Sequence, residues 1–538
     1  MTGLYRPIGI TAVLAMLASA PALAQQHEHA GAPAERLGKV HFETSCAPAV
    51  QPAFDRAVAL LHSFWYAAAA DAFAGVAKQN PSCAIAHWGV AMATWGNPLG
   101  GTRTPPTFQR GLAAIAAARA ANPKTPRERA YIDAVERLYK DHDKLDHSTR
   151  AVAYEEAMAQ LVAAHPSDTE AAIFYAIALD AAAPPTDKKY TKQLKAAQIL
   201  EKAFTAQPDH PGISHYLIHS YDVPALADKG LAAARRYASI APDAPHALHM
   251  PSHIFTRVGA WDDSIATNIA SAAAARKANS PPEELHAMDY QTYAYLQLAR
   301  DADAQRVRGE ADAIVTRVEV TSGYGLAGFF AAAAIPARVA LERGQWREAA
   351  SLTPLAGTFP ATEAITWFAR AVGAARSGNA QEAVASTARL APLRDNLLAT
   401  KEAYWAGQVD IMRKGAEAWT LHAQGKSAEA VARLREAADD EDATEKSPVS
   451  PGPLAPAREM YAELLLEAGQ AKEALTQFET AMSKEPGRFR SLAGAMRAAE
   501  QTGDTAKARK YAIQLLDLAK NASPGRAELE QARKLTRQ

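Results

Sequence analysis

The sequence is poor in cysteine and carries no excess of either charge. Its 538 residues include two cysteines, and 58 Lys and Arg balance 58 Asp and Glu. Two thiolates cannot complete a four-cysteine zinc site. A formal charge of zero provides no basic surface for holding a nucleic acid or an anionic membrane, so neither is an expected partner.

Common enzyme signatures are also missing. The sequence has no Gly-rich phosphate loop, no His-Glu-x-x-His motif and no Gly-x-Ser-x-Gly motif. Beyond the N-terminal region, no stretch reads as long and apolar enough to span a bilayer, so no membrane span is expected. Whether the chain is an enzyme stays open at this point, with a non-enzymatic role favoured.

The first residues read as a secretory signal. Arg6 precedes an apolar stretch over residues 8–18, and Ala22-Leu23-Ala24 supplies the small residues that a signal peptidase accepts. The apolar stretch is too short for a membrane anchor. Residues 1–24 are therefore predicted to be a cleaved signal peptide, and the mature protein is predicted to be periplasmic or secreted.

Export gives the two cysteines a meaning. Cys46 and Cys83 form an even pair, and in an oxidising compartment such a pair is more often a disulfide than two free thiols. The predicted bridge joins the loop at residues 42–46 to the turn at residues 80–83.

Strand patterns are scarce, whereas helix formers dominate. Ala-rich stretches such as residues 113–121 favour helices. Gly and Pro fall mostly between these stretches, where helices stop and start. The fold class predicted from this pattern is all-α.

A repeat is visible towards the C-terminus. Gly469 is followed by Ala474, Phe478, Ala481 and Pro486, a small-residue ladder that resembles the tetratricopeptide (TPR) helix pair. The same Gly-then-Ala spacing recurs at four places: Gly344/Ala349, Gly378/Ala383, Gly425/Ala430 and Gly503/Ala508. Gly344 and Gly378 are 34 residues apart, as are Gly469 and Gly503, and this separation is the TPR period.

The resemblance covers most of the mature chain and implies a TPR-like helix-turn-helix repeat solenoid. The organisation predicted on this basis has five parts after the signal: a disordered tail and loop at residues 25–45, a solenoid at residues 46–438, an exposed acidic and Pro-rich loop at residues 439–456, a C-terminal TPR pair at residues 457–522 and a C-terminal tail at residues 523–538. The resemblance implies little about function, because repeat scaffolds serve many partners.

Two histidine-rich segments resemble a signature of exported bacterial TPR proteins. They are HYLIHSYD at residues 215–222 and HALHMPSHIF at residues 246–255, with shorter matches at residues 61–65 and 86–89. This resemblance implies a fold and an exported location, and it implies no particular activity.

Histidines and aspartates of this region fall at helical spacing, and residues three, four or seven apart share one helix face. Three such stripes are present: His215, His219 and Asp222; His246, His249 and His253; His286, Asp289 and Tyr293. By the TPR resemblance, the stripes face the concave groove of three successive repeats, which begin near Pro211, Pro245 and Leu285. Histidine and aspartate converging from three helices predict a transition-metal site, with zinc, copper or iron as candidate ions.

Other interpretations of the stripes stay open. A metal-free groove could bind a peptide or protein segment through the same side chains, and a buried polar network could brace the array. A metal-dependent hydrolase is less favoured; there, Glu283 or Glu284 could act as base towards a metal-activated water. Pro251, between His249 and His253, either aims His253 at the shared centre or breaks the stripe.

A further stripe lies nearer the N-terminus. Trp88, Met92 and Trp95 share a predicted groove face near His62. An aromatic stripe is more often core than binding surface, so core packing is favoured. If exposed, the stripe would suit an extended peptide or another amphipathic ligand. Tyr293 is the remaining groove candidate.

Overall fold

The computed structural model describes residues 35–100, 103–317, 325–355 and 357–537, and the predicted signal peptide lies outside them. The chain divides into two units, Met1–Glu35 and Arg36–Gln538, and only Glu35 of the first unit is described. Every regular element within the described residues is a helix. The prediction of an all-α chain is confirmed.

The helices follow one another with short turns. Those before residue 260 are a 3-10 helix at Pro48–Val50, α1 Gln51–His62, α2 Tyr66–Gln79, α3 Ala84–Trp95, α4 Pro105–Ala120, α5 Pro126–Tyr139, α6 His147–Ala164, α7 Thr169–Ala181, α8 Thr191–Ala206, α9 Pro211–Tyr221, α10 Ala227–Ile240, α11 Pro245–His249 and α12 Pro251–Val258. Those after it are α13 Trp261–Lys277, α14 Pro281–Gln297, α15 Asp301–Arg317, α16 Gly325–Glu342, α17 Trp346–Ser351, α18 Pro360–Arg376, α19 Ala380–Thr387, α20 Leu390–Ala399, α21 Ala403–Ala423, α22 Ser427–Asp442, α23 Ala457–Glu467, α24 Ala471–Lys484, α25 Phe489–Gln501, α26 Thr505–Leu518 and α27 Ala527–Arg537. Neighbours in sequence pack side by side along most of this series, which gives the predicted helix-turn-helix repeat.

The ladder near the C-terminus shows why the repeats pack closely. Gly469 and Gly503, at the turns after α23 and α25, have φ angles of 77° and 75°, a left-handed conformation that favours glycine. Phe478 of α24 is fully buried and lies against Gly494 of α25, where an added Cβ would be 2.2 Å from the ring. A small residue at position 494 therefore allows these two helices to approach.

The predicted disulfide joins the N-terminal loop to the turn between α2 and α3. The Sγ atoms of Cys46 and Cys83 are 1.98 Å apart. The prediction from the cysteine count is therefore supported by the structure.

The loop before this bridge is packed on the helices. Arg36 pairs with Asp243, with 2.9 Å between Nη2 and Oδ1, and Phe42 is fully buried with its ring centroid 5.3 Å from that of Trp88. Within the predicted tail and entry loop of residues 25–45, the last ten residues are therefore an ordered loop packed on the helices, because Phe42 belongs to the core.

The stretch predicted as an exposed loop, residues 439–456, is exposed only in its first part and is not wholly a loop. Helix α22 covers its first residues, and residues 443–456, here called the connector, pack against the core with Ser450 buried. Arg338 of α16 donates to Ser450 Oγ at 2.9 Å and to the Gly452 carbonyl at 3.0 Å. A buried guanidinium thus satisfies backbone oxygens that no helix pairs, which permits the connector to be buried.

The predicted C-terminal tail, residues 523–538, also needs correction. It contains α27, whose Leu529 is buried against the preceding helices. Arg526 pairs with Asp301 at 2.7 Å between Nη2 and Oδ1. Helices α23 to α26 occupy the predicted C-terminal pair, residues 457–522.

One helix differs from the expectation that no stretch after the N-terminal region could span a membrane. α16 is long and apolar enough to cross a membrane by length and composition, but 67% of this 18-residue helix is buried inside the protein. Its Arg338 and Glu342 form buried ion pairs with Asp289 and Arg488. We interpret α16 as a core helix of the repeat array.

The end of α22 provides a test of stability against pH. Burial, with Glu485 nearby, raises the pKa of Glu441 to about 8. A carboxyl whose folded pKa exceeds its unfolded value stabilises fully below about pH 4.5 and loses that contribution as the pH rises through 8. Glu441→Gln keeps an acceptor for the Ala457 N–H, 2.7 Å from Oε2, and cannot ionise. We therefore expect the variant to gain stability over the parent as the pH rises from 5 to 8.5.

The upper limit of this gain is about 1.4 kcal/mol per pH unit, and the half-buried position of Glu441 reduces it. Urea unfolding at the two pH values measures it. Glu436→Gln, on the exposed face of the same helix, is the control and should change stability by less than about 1 kcal/mol. An equal effect of Glu441→Gln at both pH values would contradict the prediction.

Candidate metal centre

Six histidines meet where α9 packs on α12 and α11 packs on α14. Helix α9 supplies His215 and His219, α11 supplies His246 and His249, α12 supplies His253 and α14 supplies His286. Five of them are buried, and the side chain of His246 is 11% exposed. The structure therefore brings together all six histidines that helical spacing selected.

The proline in this region does not break the stripe. Pro251 begins α12, and Met250 before it keeps a right-handed helical backbone with φ −53° and ψ −38°. A proline in the first turn of a helix removes an N–H that has no intrahelical partner. His249 and His253 consequently keep their helical relation, with ring centroids 4.9 Å apart.

The histidines divide into two groups of three. Triad 1 is His215, His219 and His246, and triad 2 is His249, His253 and His286; within each triad, one ligand nitrogen per residue lies within 4.8 Å of the others. The triads adjoin each other, with ring centroids 5.6 Å apart for His219 and His253 and 5.7 Å apart for His246 and His249.

Hydrogen bonds fix the tautomers of two histidines in triad 2. His249 Nδ1 donates to Asn268 Oδ1 at 2.7 Å, and the amide cannot be reversed because its Nδ2 donates to the Ser264 carbonyl at 2.7 Å. His253 Nδ1 donates to Asp222 Oδ2 at 2.9 Å. A neutral imidazole carries one N–H, so both Nε2 atoms carry bare lone pairs.

These two Nε2 atoms, of His249 and His253, are 3.0 Å apart. Bare lone pairs at that distance repel, and a water molecule does not fit between them, so a shared cation or proton is required. Burial lowers the pKa of both rings, that of His253 to about 4, which disfavours the proton at neutral pH. Two nitrogens bound to one ion at about 2.0–2.1 Å lie roughly 2.9 to 3.4 Å apart for angles between right-angled and tetrahedral. The pair has the spacing of two ligands of one metal ion.

Asp222 orients His253 from behind. Burial alone would raise its pKa, but Lys446 and Arg257 hold the pKa of this carboxyl well below its usual range. Arg257 Nε donates to Oδ1 at 2.8 Å, and Lys446 Nζ lies 3.3 Å from Oδ2. Both oxygens are therefore engaged, so Asp222 lies behind a candidate ligand and orients it. A carboxylate on Nδ1 fixes the ring and makes Nε2 a better metal ligand.

Triad 1 is built in a similar way. His215 Nδ1 donates to the His62 carbonyl at 2.6 Å, so its Nε2 is bare, and that atom lies 3.1 Å from His219 Nε2. His246 Nδ1 lies 3.5 Å from Glu283 Oε2. Here His219 could donate its own proton to His215, so the tautomers of this pair are not forced as they are in triad 2.

Three further imidazole nitrogens of the triads have no hydrogen-bond partner among the described residues. They are His219 Nδ1, His246 Nε2 and His286 Nδ1. Burial lowers the pKa of His219 well below its ordinary value and that of His286 to about 3. Neutral imidazole is the form that binds metals, and unpaired buried polar atoms are rare enough in proteins to require an explanation.

His62 belongs to a separate network that sequence analysis did not find. Its Nε2 lies 2.9 Å from Glu170 Oε2, while His210 Nε2 lies 2.8 Å from Oε1, and Tyr216 Oη lies 2.9 Å from His62 Nδ1. Burial alone would raise the pKa of Glu170, but His210 and His62 hold it well below its usual range. Each Nε2 here has an acceptor of its own, so we interpret the network as a brace that holds the His62 carbonyl against triad 1.

The third predicted stripe is split by the structure. Asp289 accepts from Arg338 Nε at 2.7 Å, and Tyr293 Oη accepts from Arg488 Nη1 at 2.7 Å. Both are thus turned to ion networks away from the triads, which corrects the expectation that they face the histidines. Tyr290 faces triad 2 instead, with its ring centroid 4.5 Å from that of His249.

The aromatic stripe near the N-terminus is core. Trp88 is 1% exposed and packs edge-on against Tyr131, and Met92 is also buried. Trp95 is buried too, but one side of it borders the cavity described next.

A cavity of about 510 Å³ lies over both triads. Its lining includes two histidines of each triad and four other aromatic residues: His219, His246, His253, His286, Phe64, Trp65, Tyr66 and Trp95. Residues 447–449 of the connector close one side, where the Pro448 carbonyl accepts from Tyr290 Oη at 2.9 Å. Both candidate bases have partners: Glu283, which lines the cavity, lies against His246, and Glu284 pairs with Arg276.

The fold and the site define the class of this protein: an all-α helical repeat protein with two adjoining histidine triads. No protein-family model and no curated protein matches the chain.

Solved structures with repeated helices do align to it. A tetratricopeptide repeat protein from Parabacteroides merdae aligns at 12% identity and a TM-score of 0.27, over 69% of this chain and 99% of its own. The TPR domain of P58(IPK) aligns at 12% identity and a TM-score of 0.22, over 85% of this chain and 99% of its own. Because both scores are low, the site is interpreted from its own geometry.

Proposed function

We propose that this chain is an exported repeat protein that binds a transition-metal ion through its buried histidines. The observation that carries the proposal is the His249–His253 pair, whose bare Nε2 atoms face each other at 3.0 Å while both Nδ1 atoms donate to other groups. A metal ion is the occupant that turns this repulsion into two bonds. His286 completes the triad around it.

The ligand chemistry narrows the choice of ion. Imidazole suits zinc, copper, iron and nickel, whereas carboxylate and water suit magnesium, calcium and manganese. Both carboxylates beside the triads, Asp222 and Glu283, lie against Nδ1 atoms of histidines. An all-imidazole set with carboxylates behind it favours zinc or copper, with iron as a further candidate.

Three protein ligands leave a metal ion with an open position, as in catalytic zinc sites. An ion with an open position can polarise a bound molecule or activate water. The protein surrounds the triads with buried side chains and leaves a cavity beside them that a small molecule could enter. The metal-free peptide groove is the other candidate, and it is less favoured because five of the six histidines are buried.

Elemental analysis of tag-free protein from its native compartment tests the proposal. We expect at least one zinc or copper ion per chain to survive dialysis, and N-terminal sequencing of the same sample to begin at Gln25. Chelator-treated protein is the control and should take the metal up again. Protein that stays metal-free after incubation with zinc, copper and iron salts would refute metal binding, and an intact N-terminus would refute export.

A further inference from the structure

The two triads share no residue, and each presents its own set of ligand atoms. One ion bound at about 2.1 Å to several nitrogens requires those nitrogens to lie within roughly 4.2 Å of one another. Three ligand atoms approach this condition in each triad separately. Between the triads, the nearest of the ring pairs given above are centred 5.6 Å apart. A protein-bound zinc ion is usually four-coordinate, so one zinc ion does not use all six histidines.

Each triad contains a close Nε2 pair of its own. The separations are 3.1 Å between His215 and His219 and 3.0 Å between His249 and His253. The two histidines of each pair are four residues apart in the sequence. In each pair, at least one ring donates a hydrogen bond from its Nδ1. The same close spacing thus occurs twice, in neighbouring repeats, although both tautomers are fixed by hydrogen bonds only in triad 2.

Each triad also has an acidic residue behind it. Asp222 lies against His253 of triad 2, and Glu283 lies against His246 of triad 1. Each carboxylate can offset part of the charge of an ion bound in front of it. Arg257 and Lys446 neutralise part of Asp222, so two divalent ions with six neutral imidazoles would leave a net positive charge in a buried place.

From these observations we propose that the site holds two metal ions, one in each triad, and that an oxyanion from the cavity binds across them. The proposal rests on the proposed metal-binding function. Histidines of both triads line the same cavity, so one small ligand can reach both ions. The uncompensated positive charge favours an anionic oxygen donor, and the four aromatic side chains of the lining, Phe64, Trp65, Tyr66 and Trp95, favour an apolar or aromatic body. A small aromatic carboxylate fits this description.

Stoichiometry is the first test. Chelator-treated protein is loaded with zinc, dialysed and analysed for metal per chain. The full chain is expected to retain two ions, and the double variants His215→Asn/His219→Asn and His249→Asn/His253→Asn are each expected to retain one. His147→Asn is the matched control, because His147 also has a buried, unpaired Nδ1 but lies in neither triad. It should retain two.

Magnetic coupling is the second test and needs no variant. Two adjacent Cu(II) ions couple, so the integrated electron paramagnetic resonance signal of the copper-loaded chain should fall well below its total copper. One zinc per chain would overturn the two-ion proposal and leave the proposed metal function intact. Two coppers with a full uncoupled signal would overturn the assignment of the two ions to adjoining triads. No bound metal would overturn both. If a double variant fails to fold by circular dichroism, the parent chain alone decides.

The oxyanion is tested with benzoate as the probe. Titration of the cobalt-loaded chain with benzoate should change its visible absorption with a saturating curve, whereas benzyl alcohol, which has the same ring and no charge, should not. No change with benzoate, or an equal change with benzyl alcohol, would overturn this part.

Discussion

Replacing His249 with alanine is expected to weaken metal binding at triad 2 by at least about 100-fold. Loss of a residue that only orients a ligand typically weakens metal affinity 10- to 100-fold, and loss of the ligand itself removes a bond as well. His249 also forms one side of the close Nε2 pair, so its removal leaves His253 without the partner that makes the pair a chelate. Competition with a chelating dye measures the affinity.

The loss of metal affinity should also reduce the stabilisation that zinc gives to the folded protein. A ligand present at 1,000 times its Kd stabilises the native state by about 4.1 kcal/mol. The rise in Tm that zinc produces should therefore be smaller in His249→Ala than in the parent chain.

A graded control separates metal binding from packing. Asn268→Leu leaves every histidine in place and removes the acceptor that holds His249 Nδ1, so we expect the 10- to 100-fold weakening of an orienting residue. His147→Asn should leave affinity unchanged. If His249→Ala binds zinc as tightly as the parent while remaining folded by circular dichroism, triad 2 is not a metal site.

Local helix geometry explains how much of this site could be predicted. His215 and His219, and His249 and His253, are four residues apart, and that spacing fixes which face of a helix they share whatever the rest of the chain does. Repeat anchors then predicted that the faces of three repeats meet. The six histidines could therefore be selected from the sequence.

The contacts that orient the histidines could not be selected in this way. Lys446 reaches Asp222 across 224 positions, and the His62 carbonyl reaches His215 across 153. No periodicity links such residues, because the contact depends on how several repeats pack. For the same reason the connector was predicted to be exposed. Its acidic and Pro-rich sequence indicates a break between helices, but the sequence does not show that Arg338 donates hydrogen bonds to the connector carbonyls.

Asp289 illustrates the limit of the face argument itself. Asp289 follows His286 by three residues, and Tyr290 follows His286 by four. Both steps stay near one helix face, but they fall on opposite sides of it. The buried Arg338 attracts the carboxylate to one side, and the aromatic ring of Tyr290 packs against triad 2 on the other. The charge of Arg338 on the neighbouring helix α16 therefore decides that Asp289 points away from triad 2.

Replacing Arg338 with methionine is expected to lower the free energy of unfolding by about 3–5 kcal/mol, the usual cost of removing one partner of a buried ion pair. Arg338 is fully buried and bonds to Asp289 Oδ1 at 2.7 Å, Ser450 Oγ at 2.9 Å and the Gly452 carbonyl at 3.0 Å. Its loss leaves the Asp289 carboxyl, whose pKa burial already raises, without a counter-charge. Urea unfolding followed by circular dichroism measures the effect.

The same arginine links the fold to the site, because it anchors the connector whose Lys446 holds Asp222 and whose Pro448 accepts from Tyr290. Arg338→Met should therefore also weaken zinc binding and expose the connector to limited proteolysis. Adding Asp289→Asn should recover part of the stability, since it removes the unpaired charge, but not the proteolytic protection, since the connector carbonyls stay unpaired.

Arg306→Met, at an exposed ion pair with a 51% exposed arginine, should cost less than about 1 kcal/mol. A similarly small cost for Arg338→Met would show that the connector is held by its own packing and that the guanidinium is dispensable.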